Sequence, residues 1–511
     1  ETNGMNIYTM RRANYGYGQY ILQTKKANPS VVIAYDCRHN SRLFAEESAR
    51  VLATMGIKVL LFDKITPTPE LSFAVRELKA TGGIVITASH NPPNYNGYKI
   101  YDDFGCQLVP DLADIVIDEI AKAPDAFQID VESFASLKQK GYIEIVDDSI
   151  DTAYLNKVKS IRVHPDLNKE NFLVVFTPLH GTSSLLGQRL LQETGYPCIP
   201  VVEQMVADPN FSTVSSPNPE NKEAFDLAIT YAKKHHADIC IATDPDADRM
   251  GIAVYHQGNY VLLTGNQTGA ILIQYLAKYR TLKKKGVLFN TTVTSPLGAA
   301  IARKYHLDVI STLTGFKYIG EQAKLLENTE REFFFGYEES YGYVVSDFVR
   351  DKDSLQALLL CSEVACYYKN QGKTLVDVLE EIYQEYGYYH DHLINITLTG
   401  ASGAQKIEEI LNYFHNEKQS NFQGLKIVAK EDYLLQQRFE NNQTTKLALP
   451  KANVIKYFLD DGSWFVLRPS GTEPKMKVYI SVVTNSRHDS ILRSKEIEQK
   501  VMELINHIKG E

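Results

Sequence analysis

The chain of 511 residues is too long for one hydrophobic core and should divide into about three or four domains. Its 44% hydrophobic and 23% charged residues are typical of a soluble globular protein. The formal net charge of −8 argues against a general nucleic-acid-binding protein, because such proteins need an excess of Lys and Arg.

Apolar runs and cysteines add two further expectations. No apolar run approaches the roughly 18 residues of a membrane-spanning helix, so we expect no membrane partner. The 6 cysteines form no CxxC pair, which is typical of free thiols in a reducing compartment and favours the cytoplasm.

Three segments, beginning at residues 31, 172 and 286, share one pattern of an apolar strand, a short polar loop and an amphipathic helix. Each strand is apolar on both faces, as a buried parallel strand must be. Each loop lies at the carboxyl end of its strand, where open α/β sheets bind ligands. Although such units are common enough to recur by chance, the pattern predicts three related α/β domains.

The pattern changes near residue 389, where strands are mixed with two helices and predict a smaller α+β domain. Residues 122–150 resemble a polar connection between the first two units. The predicted domains are therefore 1–150, 151–258, 259–388 and 389–511.

The first chemical motif is TASHNPPNYNGYKIY, which begins at residue 87. Its two prolines cannot enter a regular element and hold their neighbours extended, between the strand-like segments GIVIT and GYKIY. Ser89 and His90 are therefore expected in a loop whose backbone the prolines restrict, with Lys99 ten residues after the serine. The motif therefore supplies a candidate nucleophile.

The second motif, TDPDADR, follows the apolar segment DICIA. In an extended loop alternate side chains point the same way, so Asp244, Asp246 and Asp248 would converge as three hard oxygen ligands. The motif lacks the Gly and Glu that an EF-hand requires at its sixth and twelfth positions. It therefore favours Mg²⁺ beside a phosphate, with a solvated acidic turn as the alternative.

The third motif, FFFGYEESYGY, delivers Glu338, Glu339 and Ser340 into a loop after an aromatic strand. Carboxylate and hydroxyl groups in such a loop can bind the vicinal hydroxyls of a sugar. Taken alone the motif is weak, because an acidic turn after a strand is often only a turn.

The fourth motif is LRPSGTEPKMK. Arg468, Ser470, Thr472 and Lys475 surround Gly471, so guanidinium, hydroxyl and backbone donors could approach an anion closely. The chain contains neither a Walker P-loop nor a dinucleotide GxGxxG. The motif predicts a phosphate cradle, with a structural turn as the alternative, and the four motifs together fit phosphoryl transfer on a sugar phosphate.

In this order, TASHNP, DPDADR, GYEES and RPSGTEPK closely resemble the α-D-phosphohexomutase superfamily over essentially the whole chain. GYEES and TGFKYIG are similar to its phosphoglucomutase and phosphopentomutase branch. The resemblance implies three related α/β domains with mixed sheets and a C-terminal α+β domain around a central cleft, each giving one loop.

The resemblance also implies the roles of individual residues. Ser89 would be phosphorylated, and Asp244, Asp246 and Asp248 would hold Mg²⁺ together with the seryl phosphate. Glu338 and Ser340 would bind sugar hydroxyls. The other implied site residues are the lysines Lys99 and Lys352, Arg249 of the metal loop, Gly315, Phe316 and Lys317 of the loop that distinguishes sugar orientations, and Arg468, Ser470, Gly471, Thr472 and Lys475 of the phosphate loop.

The implied activity is interconversion of glucose 1-phosphate and glucose 6-phosphate through phosphoserine and glucose 1,6-bisphosphate. His90 and Lys99 are both candidates for proton transfer. Sugar phosphates are the expected small-molecule partners, and the oligomeric state is left open. The alternatives are a phosphopentomutase, a synthase of the bisphosphate, or a phosphosugar-binding protein without turnover.

One segment departs from the family pattern. Members of the superfamily begin with a strand and a GT-x-G-x-RG loop, whereas this chain opens at ETNGMNIYTMRRA. We therefore expect the first domain to be truncated at its N-terminus and to lack one strand and the arginine of that loop.

Overall fold

The computed structural model describes residues 4–398, 401–417, 421–422, 424–469 and 475–509. The chain forms two compact units. The first comprises Glu1–Asn290, Tyr305–Ile310 and Gly315–Val378, and the second comprises Thr291–Lys304, Ser311–Thr314 and Leu379–Glu511. Among the helices in the described ranges, none has both the length and the apolar character needed to cross a lipid bilayer.

The first sheet lies in the first unit. Its strands are β1 (Ser30–Tyr35), β2 (Lys58–Phe62), β3 (Gly82–Ile86), β4 (Tyr98–Tyr101) and β5 (Ile143–Val146), and its helices are α1 (Ile7–Gln23), α2 (Ser41–Thr54), α3 (Thr68–Glu77), α4 (Pro110–Lys122) and α5 (Phe134–Gln139). The strand order is β4-β3-β1-β2-β5, with only β4 antiparallel to its neighbour. The Val and Ile side chains of β1 are fully buried, as a two-sided parallel strand requires.

The prediction that residues 122–150 are a polar connection was wrong. They contain α5 and β5, and β5 extends the first sheet by pairing with β2 in parallel. Little in the sequence marks this strand, because only two of the four residues of β5, Ile143 and Val146, are buried.

The second sheet also lies in the first unit and has the order β10-β9-β8-β6-β7. Its strands are β6 (Val174–Thr177), β7 (Cys198–Pro200), β8 (Ile239–Thr243), β9 (Met250–His256) and β10 (Asn259–Leu263), and the accompanying helices are α6 (Ser149–Lys159), α7 (Ser183–Glu193) and α8 (Asp226–His235). β6, β7 and β8 are parallel, and β9 and β10 are antiparallel to their neighbours. Short 3₁₀ helices lie at Ala126–Gln128, Val202–Gln204 and Lys222–Phe225.

The third sheet has the order β12-β11-β13-β14. Its strands are β11 (Lys285–Thr291), β12 (Asp308–Thr312), β13 (Arg331–Glu338) and β14 (Gly342–Val344), and the helices of this region are α9 (Gly265–Tyr279), α10 (Pro296–Lys304), α11 (Phe316–Lys324), α12 (Ser354–Lys369) and α13 (Leu375–Tyr386). β11 runs parallel to β13, and β14 is antiparallel to β13. A proline opens α10, where a missing N–H costs no helical hydrogen bond.

The fourth sheet belongs to the second unit. Its strands are β15 (Tyr388–Thr397), β16 (Asn421–Phe422), β17 (Leu425–Asp432), β18 (Gln437–Glu440), β19 (Gln443–Lys446), β20 (Ile455–Leu459), β21 (Trp464–Pro469) and β22 (Lys475–Thr484), and its helices are α14 (Ala401–Asn416) and α15 (Arg487–Lys509). The main strand order is β15-β22-β21-β20-β17-β18-β19, and β16 pairs with β17. Among the described residues, the paired strands of this sheet run antiparallel to each other. Side chains of α14 and α15 and of the sheet form one apolar core.

The predicted fold class is confirmed. Each of the three βα patterns forms a buried strand followed by a helix, namely β1 and α2, β6 and α7, and β11 and α10. Three mixed sheets precede a C-terminal domain of antiparallel strands and helices. All 6 cysteines are free thiols.

A pair of buried acidic residues joins α3 to α6. Glu70 is 1% exposed, and neither of its carboxylate oxygens accepts a hydrogen bond from a described N–H or O–H group. Its neighbour Asp151 accepts a 2.6 Å hydrogen bond from Nζ of Lys64. Burial, followed by the charge of Asp151, raises the pKa of Glu70 well above its ordinary value. Burial therefore favours the protonated form of Glu70.

We predict that Glu70→Gln flattens the dependence of stability on pH. In the wild type, the unfolded chain releases the Glu70 proton near pH 4.3 while the folded protein retains it. Between the unfolded and the folded pKa, stability therefore falls by about 1.4 kcal/mol for each pH unit. Glutamine keeps the shape of the protonated acid and removes this loss. Thermal unfolding between about pH 5 and pH 8 measures the slope.

The control is Glu144→Gln, which alters an exposed glutamate paired with Lys58. This variant should keep the wild-type slope. Identical slopes for Glu70→Gln and the wild type would show that Glu70 is ionised in the folded protein.

Candidate active site

Ser89 lies in the loop between β3 and β4, as its sequence motif predicts. Its φ angle is +51°, in the left-handed region that few residues other than Gly adopt. The Ser89 amide donates a 2.9 Å hydrogen bond to Oγ1 of Thr87, and its own hydroxyl donates to Oδ2 of Asp244 at 2.6 Å. The nucleophile candidate is therefore held in a strained conformation and pointed at the first carboxylate of the second motif.

The DPDADR loop is a tight turn, so the expectation of an extended loop was wrong. Ala247 has a φ angle of +58°, and Oδ1 of Asp244 accepts hydrogen bonds from the amides of Asp248 at 3.0 Å and Arg249 at 2.9 Å. One oxygen from each of Asp244, Asp246 and Asp248 nevertheless lies within 4.8 Å of the others. The turn brings the carboxylates together because the first aspartate folds back over the amides that follow it.

Two lysines balance this buried negative charge. Nζ of Lys99 lies 2.9 Å from Asp246 and 3.3 Å from Asp248, and Nζ of Lys352 lies 3.0 Å from Asp248. Lys99 comes from β4, and Lys352 follows β14 in the chain. Both predicted active-site lysines therefore lie against the predicted metal ligands.

The carboxylates differ in their affinity for protons. Burial, together with the charges of Asp246 and Asp248, raises the pKa of Asp244 well above its ordinary value. For Asp248, burial is outweighed by Lys352 and Lys99, which hold the pKa below its ordinary value. Asp244, whose carboxylate contacts Ser89, is therefore the aspartate with the least compensating positive charge.

The donor set fits a hard divalent cation. The three aspartates are at most 1% exposed, and the Oδ1 atoms of Asp246 and Asp248 accept no hydrogen bond from a described residue. Carboxylate oxygens that are buried, clustered and without a hydrogen-bond donor are suitable ligands for Mg²⁺. The aspartate trio can therefore hold a metal ion.

His90 and Lys99, the two candidates for proton transfer, differ in charge. Nδ1 of His90 lies 3.3 Å from Oγ of Ser89. Burial and then the charge of Arg249 lower the pKa of His90 to about 3, so its imidazole is neutral near pH 7. For Lys99, Asp246 and Asp248 outweigh burial and raise the pKa above its ordinary value. Near pH 7 His90 is therefore the neutral member of the pair and Lys99 the cation.

Arg249 is held by a residue that the sequence analysis missed. Its Nη1 atom lies 2.6 Å from a carboxylate oxygen of Glu220 and donates a 3.1 Å hydrogen bond to the carbonyl of Ser340. Glu220 lies in a loop of the second predicted domain, where no periodicity or motif marks it. Arg249 thereby connects the metal loop to the loop that carries Ser340.

The predicted sugar loops lie against each other. Glu338 is 4% exposed and accepts a 2.7 Å hydrogen bond from the amide of Gly315. Gly315 has a φ angle of +121°, which a residue with a side chain rarely adopts. Phe316 is buried and its ring lies 5.7 Å from Nζ of Lys352, while burial lowers the pKa of Lys317.

The fourth motif lies in the second unit. Arg468 is the second-to-last residue of β21 and pairs with Lys477 of β22, the strand that begins at Lys475. Three predicted residues of the cradle, Ser470, Gly471 and Thr472, lie outside the described residues. Within the first unit, the structure thus brings together the loops that carry the first three motifs.

Comparison with known proteins identifies the family. Models of the phosphoglucomutase/phosphomannomutase family match α/β/α domain I at residues 1–126, domain II at 152–258, domain III at 264–386 and the C-terminal domain at 393–492. A phosphoglucomutase of Staphylococcus aureus strain MRSA252 is 41% identical over 482 residues, which cover 94% of this chain and 86% of that protein. A phosphoglucomutase of Staphylococcus haemolyticus is 38% identical over 511 residues, which cover 99% of this chain and 90% of that protein.

Solved structures share the fold at lower sequence identity. Parafusin, an exocytosis-sensitive phosphoprotein and phosphoglucomutase from Paramecium, superposes in its open form with a TM-score of 0.73 at 18% identity, covering 98% of this chain and 92% of that one. The family matches confirm the resemblance that the four sequence motifs indicate. The chain therefore belongs to the phosphoglucomutase/phosphomannomutase family of mutase enzymes.

Proposed function

We propose that the protein is a phosphoglucomutase that interconverts glucose 1-phosphate and glucose 6-phosphate through a phosphoserine at Ser89. The observation that carries the proposal is the 2.6 Å hydrogen bond from Ser89 to Asp244, within a buried trio of metal-binding carboxylates. The staphylococcal relatives that match nearly the whole chain are phosphoglucomutases, which favours glucose phosphates as substrates.

In the first half of the cycle, phosphoserine 89 would transfer its phosphoryl group to O6 of glucose 1-phosphate. The bond from phosphorus to O6 forms, the bond to Oγ of Ser89 breaks, and the proton of the O6 hydroxyl passes to a base, for which neutral His90 is our candidate. His90, whose Nδ1 lies 3.3 Å from Oγ of Ser89, would then return a proton to the departing serine oxygen. Lys99 is a cation beside the metal ligands and would stabilise the departing serine oxygen. Mg²⁺ held by Asp244, Asp246 and Asp248 would supply neutralisation of the phosphoryl oxygens.

In the second half, glucose 1,6-bisphosphate would turn around and return its C1 phosphate to Ser89, which leaves glucose 6-phosphate. Glu338 and Ser340 would bind the sugar hydroxyls, and the loop of Gly315, Phe316 and Lys317 would distinguish the two sugar orientations. The loop that includes Arg468, Ser470, Gly471, Thr472 and Lys475 would bind the phosphate that is not reacting.

The substrate choice is tested by comparing glucose 1-phosphate and ribose 1-phosphate in the same assay. We expect kcat/KM to favour glucose 1-phosphate when glucose 1,6-bisphosphate is present as activator. A preference for the pentose would establish a phosphopentomutase. Binding of glucose phosphates without turnover would establish a binding protein.

We predict that Ser89→Ala abolishes mutase turnover and phosphorylation while leaving the fold unchanged, because a loop hydroxyl contributes little to the core. The intact mass of the wild type after incubation with glucose 1,6-bisphosphate should include an excess of about 80 Da that the variant lacks. Ser346→Ala, at another half-buried serine of a loop, should retain both properties. Normal turnover in Ser89→Ala would rule out the phosphoserine role.

We predict that Asp246→Asn and removal of divalent metal each abolish turnover, because the transferring phosphoryl group then loses its counter-charge. Activity after treatment with a chelator should return when Mg²⁺ is added to the wild type but not to the variant. Asp226→Asn, at an exposed position on α8, should behave as the wild type. Full activity in excess chelator would contradict the metal site.

We predict that Arg468→Ala lowers kcat/KM for glucose 1-phosphate by an amount equivalent to about 2 kcal/mol or more, since a guanidinium can bind two phosphate oxygens at once. Lys475→Ala should cost less, because an ammonium acts as a point charge. Glu338→Ala is the comparison variant for sugar binding. If only Glu338→Ala is impaired, the phosphate loop lies elsewhere in the chain.

A further inference from the structure

Arg38, which the sequence analysis did not single out, is buried beneath the Ser89 loop, defined as residues 87–97. Its guanidinium donates hydrogen bonds to the carbonyl oxygens of Ser89 at 2.6 Å, Asn91 at 2.5 Å, Pro92 at 2.7 Å and Tyr95 at 3.1 Å. One side chain therefore binds four carbonyl groups of a loop that has no strand or helix of its own.

The guanidinium is itself fixed by two residues from different parts of the chain. Oδ2 of Asp36 lies 3.2 Å from Nε of Arg38, and both side chains are fully buried. Oδ1 of Asp36 accepts hydrogen bonds from the Arg38 amide at 2.9 Å and from Oγ of Ser41 at 2.7 Å. On the other side, the ring of Phe211 lies 5.0 Å from the guanidinium carbon, within the range of a cation–π contact.

Phe211, which makes this contact, has an unfavourable backbone conformation. It is 1% exposed, and its φ angle of +51° is uncommon for a bulky residue. Such strain persists only where the surrounding structure over-determines it, and it tends to occur at functional sites. The loop that carries Phe211 therefore covers Arg38 at an energetic cost.

The contacts of Arg38 bear directly on the orientation of Ser89. Ser89 is also in the left-handed region, and its carbonyl accepts one of the four hydrogen bonds. Without the guanidinium, four carbonyls would lose a buried donor and the backbone of Ser89 could relax toward a more common conformation. Lysine cannot replace the arginine, because its three donors lack the planar fork that reaches several acceptors at once.

We propose that Arg38 is a positioning residue for phosphoryl transfer, which holds Ser89 in the orientation that aims its hydroxyl at Asp244. Asp36 and Phe211 fix the guanidinium in place. Arg38 contacts the loop through its backbone carbonyls, and its described contacts include neither the Ser89 hydroxyl nor the aspartate trio. The catalytic part of this inference rests on the proposed mutase function.

The kinetic test compares Arg38→Ala and Arg38→Lys with Arg42→Ala, whose arginine is exposed and pairs with Glu46 one turn further along α2. A misplaced nucleophile should lower kcat by on the order of a hundredfold in both Arg38 variants while KM for glucose 1-phosphate changes little. Added guanidinium should partly restore kcat in Arg38→Ala but not in Arg38→Lys. Arg42→Ala should match the wild type.

The second measurement is hydrogen exchange of peptides covering the Ser89 loop, which does not require activity. In the wild type the amides of Ser89, Asn91 and Tyr95 donate hydrogen bonds within the loop. They should exchange faster in both Arg38 variants and in Phe211→Leu, with peptides from the fourth sheet unchanged. That last comparison separates local release of the loop from general unfolding.

The two measurements distinguish the possible failures. If the wild type has no mutase turnover, the proposed function fails, and the exchange data still decide whether Arg38 holds the loop. Unchanged exchange of the loop in Arg38→Lys overturns the inference. Faster amide exchange in the Ser89 loop with an unchanged kcat overturns the positioning role. If Arg38→Ala loses protection throughout the protein, the exchange of the loop amides in Arg38→Lys and Phe211→Leu decides whether Arg38 holds the loop.

Discussion

The first unit is organised around the burial of three carboxylates in one turn. Removing charged groups from water is costly unless cations or hydrogen bonds compensate them. Lys99 and Lys352 supply the cations beside Asp246 and Asp248. The backbone amides of Asp248 and Arg249 donate hydrogen bonds to Oδ1 of Asp244. The cluster can also hold a metal ion, because it retains carboxylate oxygens that accept no hydrogen bond from a described residue.

The same constraint explains why several elements converge on this turn. Thr68, at the start of α3, donates hydrogen bonds from its amide and hydroxyl to the carbonyl and carboxylate of Asp246, each at 2.9 Å. Ser354, at the start of α12, donates from its amide and hydroxyl to the carbonyl of Ala247. Ala247 and Ser89 both have positive φ angles, so local propensity opposes the conformations that the site requires. The packing of distant segments maintains these conformations.

Residues grouped in short motifs were predictable. Ser89, the three aspartates and Glu338 each lie at the end of an apolar strand, so the pattern of buried strands indicated where chemistry could occur. Glu220 and Phe211 were missed because they lie in irregular loops and act on residues far away in the sequence. Strand β5 was missed because only two of its residues face the core, which is too short a signal to distinguish a strand from a polar connection.

The three βα units, the fold class with α/β domains and a final α+β domain, and the residues that could bind a metal ion were predictable from the sequence, because these depend on local periodicity and on the chemistry of neighbouring residues. The tight turn at DPDADR, the lowered pKa of His90 and the contact of Arg38 with the Ser89 loop depend on the tertiary structure. These properties arise from burial and from contacts between segments distant in the chain, which no local pattern encodes.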